Sequence, residues 1–194
     1  ITILEHHANI VPWQMVAKKT GAKLVYAYLN DDYSLDYDDL KSKINENTKI
    51  VSFTGASNVN SEIIDVKKIT GWAHEVGAIA IVDGAQLIPH LKTDVADLDC
   101  DFLVFSGHKL LAPMGTGVLY GKKEILEDMV PFNTGGDMIE YVYEQEATFA
   151  ELPYKFEAGT QDVGGVVGLA EAIKYMENIG VDEIYEYESG LARY

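Results

Sequence analysis

Two short segments carry residue types that chemistry can use. The apolar run Ala78–Val82 leads straight into Asp83-Gly84-Ala85-Gln86, and Phe102–Phe105 leads into Ser106-Gly107-His108-Lys109. As strands of one open α/β sheet, the two runs would bring a carboxylate and a lysine to the strands' carboxyl ends, where such sheets bind ligands. A lysine can form a Schiff base with an aldehyde cofactor. An acid against a pyridinium nitrogen keeps that nitrogen protonated, so the ring can accept electrons. Lys109 and Asp83 are thus the pair that pyridoxal 5'-phosphate needs. The Ser106 hydroxyl and His108 imidazole suit its phosphate, and a further imidazole could lie flat on its ring. Ser106 and His108 do not make a hydrolase triad, because no GxSxG elbow surrounds the serine.

The elements that must position this pair are legible as alternating runs. Ile1–Leu4, Leu24–Leu29, Ile50–Thr54, Ala78–Val82 and Phe102–Phe105 read as strands. Ile10–Thr20, Tyr37–Ile44, Val66–Val76 and Leu87–His90 read as helices or crossovers, with Gly21 and Gly77 closing two of them. "AIAIV" and "FLVF" are apolar on nearly every residue, which predicts burial on both faces of a parallel sheet. The expected fold class is α/β, a mostly parallel sheet with helices on both faces. After Phe105 the rhythm changes. Val118–Tyr120 reads as an antiparallel strand, Lys122–Met129 as a short helix, and residues 132–159 as an irregular excursion. Val163–Ile179 and Val181–Tyr194 return to helical periodicity. No internal repeat or low-complexity linker divides the chain.

Composition narrows the function classes. Asp and Glu number 31 against 15 Lys and Arg, a formal charge of −16 over 194 residues. That balance argues against a nucleic-acid surface and against docking on anionic membranes. No apolar run approaches the roughly 18–20 residues of a membrane helix, and no signal peptide opens the chain. The single cysteine, Cys100, allows no internal disulfide or cysteine-based metal cluster. It enters a strand expected to be buried, beside Asp99 and Asp101, which disfavours its thiolate. His6 and His7 are adjacent and expected to point apart, so no metal site is predicted. The chain is expected to be soluble and cytoplasmic. It starts at Ile1 inside an apolar run, and its one arginine is Arg193, so it reads as a piece of a longer protein.

"EHHANIVPWQ", "SNV", "VDGAQ", "DLDCDFLVFSGHK", "GVLYG" and "FEAGT" together resemble the class V, fold-type I pyridoxal-phosphate enzymes. Among these the chain is most similar to the SUF-type cysteine desulfurases and selenocysteine lyases, over essentially all 194 residues. The resemblance implies that Lys109 holds the cofactor and that Asp83 pairs with its ring nitrogen. Gln86 and Asn58 would reach the phenolic oxygen, and Ser106 and His108 the phosphate. His6 would stack on the ring. Thr160 would contact the phosphate of a partner subunit's cofactor, which implies a homodimer. The implied activity takes sulfur from L-cysteine or a related amino acid, releases alanine, and passes the sulfur through an acceptor protein to iron–sulfur assembly.

Departures from the family pattern carry their own expectations. Asn60-Ser61-Glu62 replaces an "LGT"-like turn and is expected to bring a negative charge near the crevice. Gly55 stands where the family often has histidine, and Leu111-Ala112-Pro113-Met114 replaces "YGPT". The family's glycine–threonine phosphate loop precedes this segment, and its sulfur-accepting cysteine and carboxylate-binding arginine follow it. The chain is therefore expected to be the central part of the large cofactor-binding domain, inactive by itself. Another class V reaction (aminotransferase, selenocysteine lyase or kynureninase-like) and a non-catalytic folded fragment remain the competing readings.

Overall fold

A computed structural model describes all 194 residues. Helix α1 (Val11–Thr20) has a proline in its first turn and ends on Gly21, whose φ of 77° is the left-handed conformation glycine adopts without steric cost. Helix α2 (Tyr37–Lys43) precedes strand β1 (Ile50–Thr54), and α3 (Val66–Glu75) links β1 to β2 (Ile79–Asp83). A single-turn α4 (Val95–Leu98) leads to β3 (Phe102–Ser106), and β4 (Gly117–Gly121) turns back before α5 (Lys123–Asp128). Strands β5 (Ile139–Val142) and β6 (Ala147–Phe149) form a separate hairpin, followed by α6 (Val163–Ile179) and α7 (Val181–Ala192). Aspartates start four of the helices. Asp36, Asp65, Asp94 and Asp162 each accept a backbone N–H from the first turn that would otherwise lack a partner.

The main sheet has the order β1-β2-β3-β4. The first three strands are parallel and β4 is antiparallel, as the pattern after Phe105 predicts. Phe53, Ala80, Val82 and Leu103 pack with Ile69 and Ala73 of α3 into the principal core. A smaller core joins Leu110 and Ala112 to Leu169, Ala172 and Met176 of α6. No helix is long and apolar enough to cross a membrane.

Five expectations need correction. Ile1–Leu4 and Leu24–Leu29 are not strands; they meet at one parallel bridge, Thr2–Ala27. Neither segment pairs with β1, and a cavity of about 580 Å³ is lined by Ile1, Val25 and Ile50 among others. Leu87–His90 is a turn, since Gly84 and Leu87 accept only isolated bonds from Ile88, His90 and Leu91. Residues 132–159 are less irregular than expected, because they contain the β5–β6 hairpin and a 3-10 turn at Tyr154–Phe156. The aspartate-capped α4 was not foreseen, being too short to show helical periodicity. The sheet is also not buried evenly on both faces. α3 covers one face, while α1 and the turn His7–Asn9 cover only the β1 side of the other. There Val104 and Leu119, paired across β3 and β4, are 41% and 60% exposed.

Candidate active site

The parallel strands end nearly level. Thr54 of β1 pairs with Asp83 of β2, and Asp83 pairs with Val104 of β3, so Ser106 projects two residues further on the adjacent strand. Paired residues of a ladder carry their side chains on the same face. Ser52, Thr54, Asp83, Val104 and Ser106 therefore share the face opposite α3. Residues 5–9 lie on that face too, because Ser52 Oγ donates to Asn9 Oδ1 at 2.7 Å.

Asp83 is half-buried. One carboxylate oxygen accepts the Ala85 N–H at 2.9 Å, which turns the chain sharply and places Gln86 beside the strand end. The other oxygen has no partner within the protein. Lys109 lies in the 3-10 turn Gly107–Leu110 that follows β3 without a spacer. Three features fix this turn. The Gly107 N–H donates to Thr116 O at 2.9 Å. Leu110 is buried against α6. Leu111 closes the turn at a φ of 63°, a left-handed conformation uncommon outside glycine and frequent where function constrains the backbone. Gly107 has no room for a side chain, since an added Cβ would collide with Thr116 Oγ1. The Lys109 side chain is half-buried, and its ammonium forms no ion pair or hydrogen bond with the protein.

Ser106 is half-buried at the end of β3, and His108 is exposed beside Lys109. Asn58 is exposed on the loop after β1, a small hairpin closed by Ser57 N–H to Glu62 O and Ile64 N–H to Gly55 O. His6 is exposed on the shared face, and its Nδ1 accepts the Ala8 N–H at 3.1 Å. Thr160 is exposed ahead of α6, and no hydrogen bond ties it to the others. Asp83, Gln86, Ser106, His108 and Lys109 thus gather at the ends of β2 and β3, with Asn58 beyond β1.

Two departures from the family pattern have structural explanations. The Glu62 carboxylate is bound to the backbone just ahead of α2. Both its oxygens accept the Leu35 N–H, at 2.9 and 3.0 Å, so it braces the Asn58 loop against the preceding turn. At Gly55, an added Cβ would lie 2.8 Å from Leu87 Cδ2, so a histidine would require Leu87 to move. Cys100 is fully buried at the amino end of β3, the far end of the strand from Lys109. Burial pushes its thiol pKa up, and Asp101 and Asp99 add to the rise.

Sequence reasoning assigned no role to Glu5 and Asn9. Glu5 is 6% exposed, and its two oxygens accept from Thr2 and Asn9. Its one sequence signal is a carboxylate ending the apolar run "ITIL", a position that reads equally well as a strand leaving the core.

One free carboxylate oxygen, one unpaired ammonium, the Gln86 amide, the Ser106 hydroxyl and the His108 imidazole stand at the ends of β2 and β3, with the Asn58 amide beyond β1 and the His6 imidazole ahead of α1. That donor set fits pyridoxal 5'-phosphate: an acid for a ring nitrogen, an amine for an aldehyde, and neutral donors for phenolic and phosphate oxygens.

A model of the family described as aminotransferase class-V matches residues 1–194. A probable cysteine desulfurase of Halalkalibacterium halodurans is 52% identical over the whole chain, which spans 48% of that protein. The structure of a cysteine desulfurase from Thermococcus onnurineus NA1 superposes with a TM-score of 0.94 at 39% identity, over 99% of this chain and 48% of that one. The cysteine desulfurase CsdA from Escherichia coli gives 0.90 at 43% identity, over 94% and 46% of the two chains. The chain spans about half the length of the relatives it matches.

Proposed function

The chain belongs to the aminotransferase class-V family, and from that membership we propose that its crevice holds pyridoxal 5'-phosphate and serves a cysteine desulfurase. The substrate is L-cysteine, the products are L-alanine and sulfur carried as an enzyme persulfide, and the destination is an acceptor protein of iron–sulfur assembly. Residues 1–194 form the central part of the cofactor-binding large domain of a cytoplasmic homodimer. One observation carries the reading: the unpaired Lys109 ammonium and the free Asp83 oxygen stand at the carboxyl ends of adjacent parallel strands.

Each side chain has a task in this reading. Bound here, pyridoxal phosphate supplies an electron sink for the pair released at the substrate's α-carbon. Lys109 Nζ would hold the cofactor covalently and, when free, would take the substrate's α-proton as a general base. Asp83 keeps a proton on the ring nitrogen through its unengaged oxygen. Asn58 and Gln86 donate to the phenolic oxygen, Ser106 and His108 anchor the phosphate, and the His6 imidazole shields one ring face from water. Thr160 reaches the partner subunit's site. Sulfur transfer also needs a mobile thiolate, a role that Cys100 cannot fill from the buried far end of β3.

Borohydride reduction in the presence of pyridoxal phosphate, followed by peptide mapping, tests the assignment. The label is expected on the peptide containing Lys109. Label scattered over other lysines with Lys109 unmodified would refute it.

A further inference from the structure

The Glu5 carboxylate, one residue ahead of His6, sits in a network whose hydrogen bonds all run toward it. The Leu4 N–H donates to Thr2 Oγ1 at 3.1 Å, and the Thr2 hydroxyl donates to Glu5 Oε1 at 2.5 Å. On the other side, Asn9 Oδ1 accepts from Trp13 Nε1 at 2.8 Å and from Ser52 Oγ at 2.7 Å. An indole N–H can only donate, so the Asn9 amide is oriented with Nδ2 donating to Glu5 Oε2, at 2.7 Å. Glu5 Oε2 therefore accepts from Asn9, and Oε1 faces the Thr2 hydroxyl, whose oxygen is already engaged by the Leu4 N–H. Burial pushes the carboxyl pKa up, and the bonds from Thr2 and Asn9 act against that rise.

The network also joins three parts of the fold: Thr2 of the opening segment, Trp13 of α1 and Ser52 of β1. At its centre lies the turn His7–Asn9, capped by His6 Nδ1 accepting the Ala8 N–H. That bond leaves Nε2 to carry the proton of the neutral ring, and it fixes how the imidazole leaves the turn.

We propose that Glu5 is a positioning residue: its buried carboxylate locks the 5–9 turn and so aims His6 at the crevice lined by Asp83 and Lys109. The functional consequence rests on the reading of His6 given above. Glu5→Gln keeps the shape but places an NH₂ group against either the Thr2 hydroxyl or Asn9 Nδ2. One donor then loses its acceptor and the turn loosens.

The test has two readouts. In the absence of cofactor, hydrogen exchange at the Ala8 amide is expected to quicken about tenfold or more in Glu5→Gln. With pyridoxal phosphate as the titrant, its dissociation constant is expected to rise about three- to tenfold, the worth of a misaligned ring contact. The double variant Glu5→Gln/His6→Ala should bind no more weakly than His6→Ala alone, because Glu5 acts through His6. Fully additive losses would overturn the proposal, as would unchanged Ala8 exchange. Should His6→Ala bind pyridoxal phosphate as tightly as the parent, the reading of His6 fails, and Ala8 exchange alone decides the role of Glu5. If Glu5→Gln does not fold, Thr2→Val removes one donor while keeping the shape. Faster Ala8 exchange in that variant supports the lock, and unchanged exchange rejects it.

Discussion

Asp83 divides its carboxylate between two tasks. One oxygen turns the backbone at Ala85, and the other faces the strand ends without a protein partner. Replacement by asparagine keeps an acceptor for the Ala85 N–H and removes only the charge. Asp83→Asn is therefore expected to fold and bind pyridoxal phosphate within a few-fold of the parent. In the full-length enzyme that contains this segment, its turnover should fall on the order of a hundredfold or more, because the charge acts where electrons accumulate in the transition state. Alanine release under saturating L-cysteine measures the effect, and undiminished turnover would leave the pairing without support. At this scale the sequence was informative where a polar residue directly follows a buried strand. It was silent on Glu5, whose network is completed by Trp13 of α1 and Ser52 of β1 through Asn9.

Among the elements, the amino ends of β2 and β3 are clamped to α3 and β4 by charge. Asp101 Oδ2 accepts the Ala80 N–H at 2.7 Å and lies 2.9 Å from His74 Nε2 of α3. Its Oδ1 lies 3.0 Å from Lys122 Nζ, which also reaches Asp99 at 2.7 Å. Burial pushes the Asp101 carboxyl up, but the Ala80 amide, His74 and Lys122 outweigh it and hold the group below the usual 3.8. A depressed carboxylate stabilises the fold fully above its unfolded pKa, and that stability is lost as pH falls through the folded value. Asp101→Asn is therefore expected to cost about 1–3 kcal/mol near neutrality, and the gap should close below about pH 4. Urea melts at pH 7 and pH 3 would show it, and a gap that does not vary with pH would mean that ionisation plays no part. These elements differ in how visible they are in sequence. The β1–β3 strands and α6 repeat their apolar residues often enough to be read. α4 is a single turn, the β5–β6 hairpin is short and interleaved with polar and aromatic residues, and the opening segments share only one bridge.

Taken as a whole, the 194 residues hold the strand-end donors but no usable thiolate or substrate clamp. The one thiol is buried away from the crevice, and the one guanidinium, Arg193, follows the last turn of α7. The chain by itself is thus expected to fold and to release neither sulfide nor alanine from L-cysteine above background, with pyridoxal phosphate and a reductant supplied. Turnover by this chain, abolished in Cys100→Ser, would overturn the assignment of Cys100 as a core residue.

The sequence by itself determined the α/β class, the antiparallel fourth strand and the residues that end the buried strands. Each of these depends on local periodicity, or on a polar residue next to an apolar run. Tertiary structure alone decided that Glu62 braces Leu35 and that Gly55 is packed beneath Leu87. It also decided that one sheet face stays partly open and that Glu5 lies buried behind His6. Those outcomes depend on which distant segments supply donors and volume at a point in space, and no spacing along the chain encodes that.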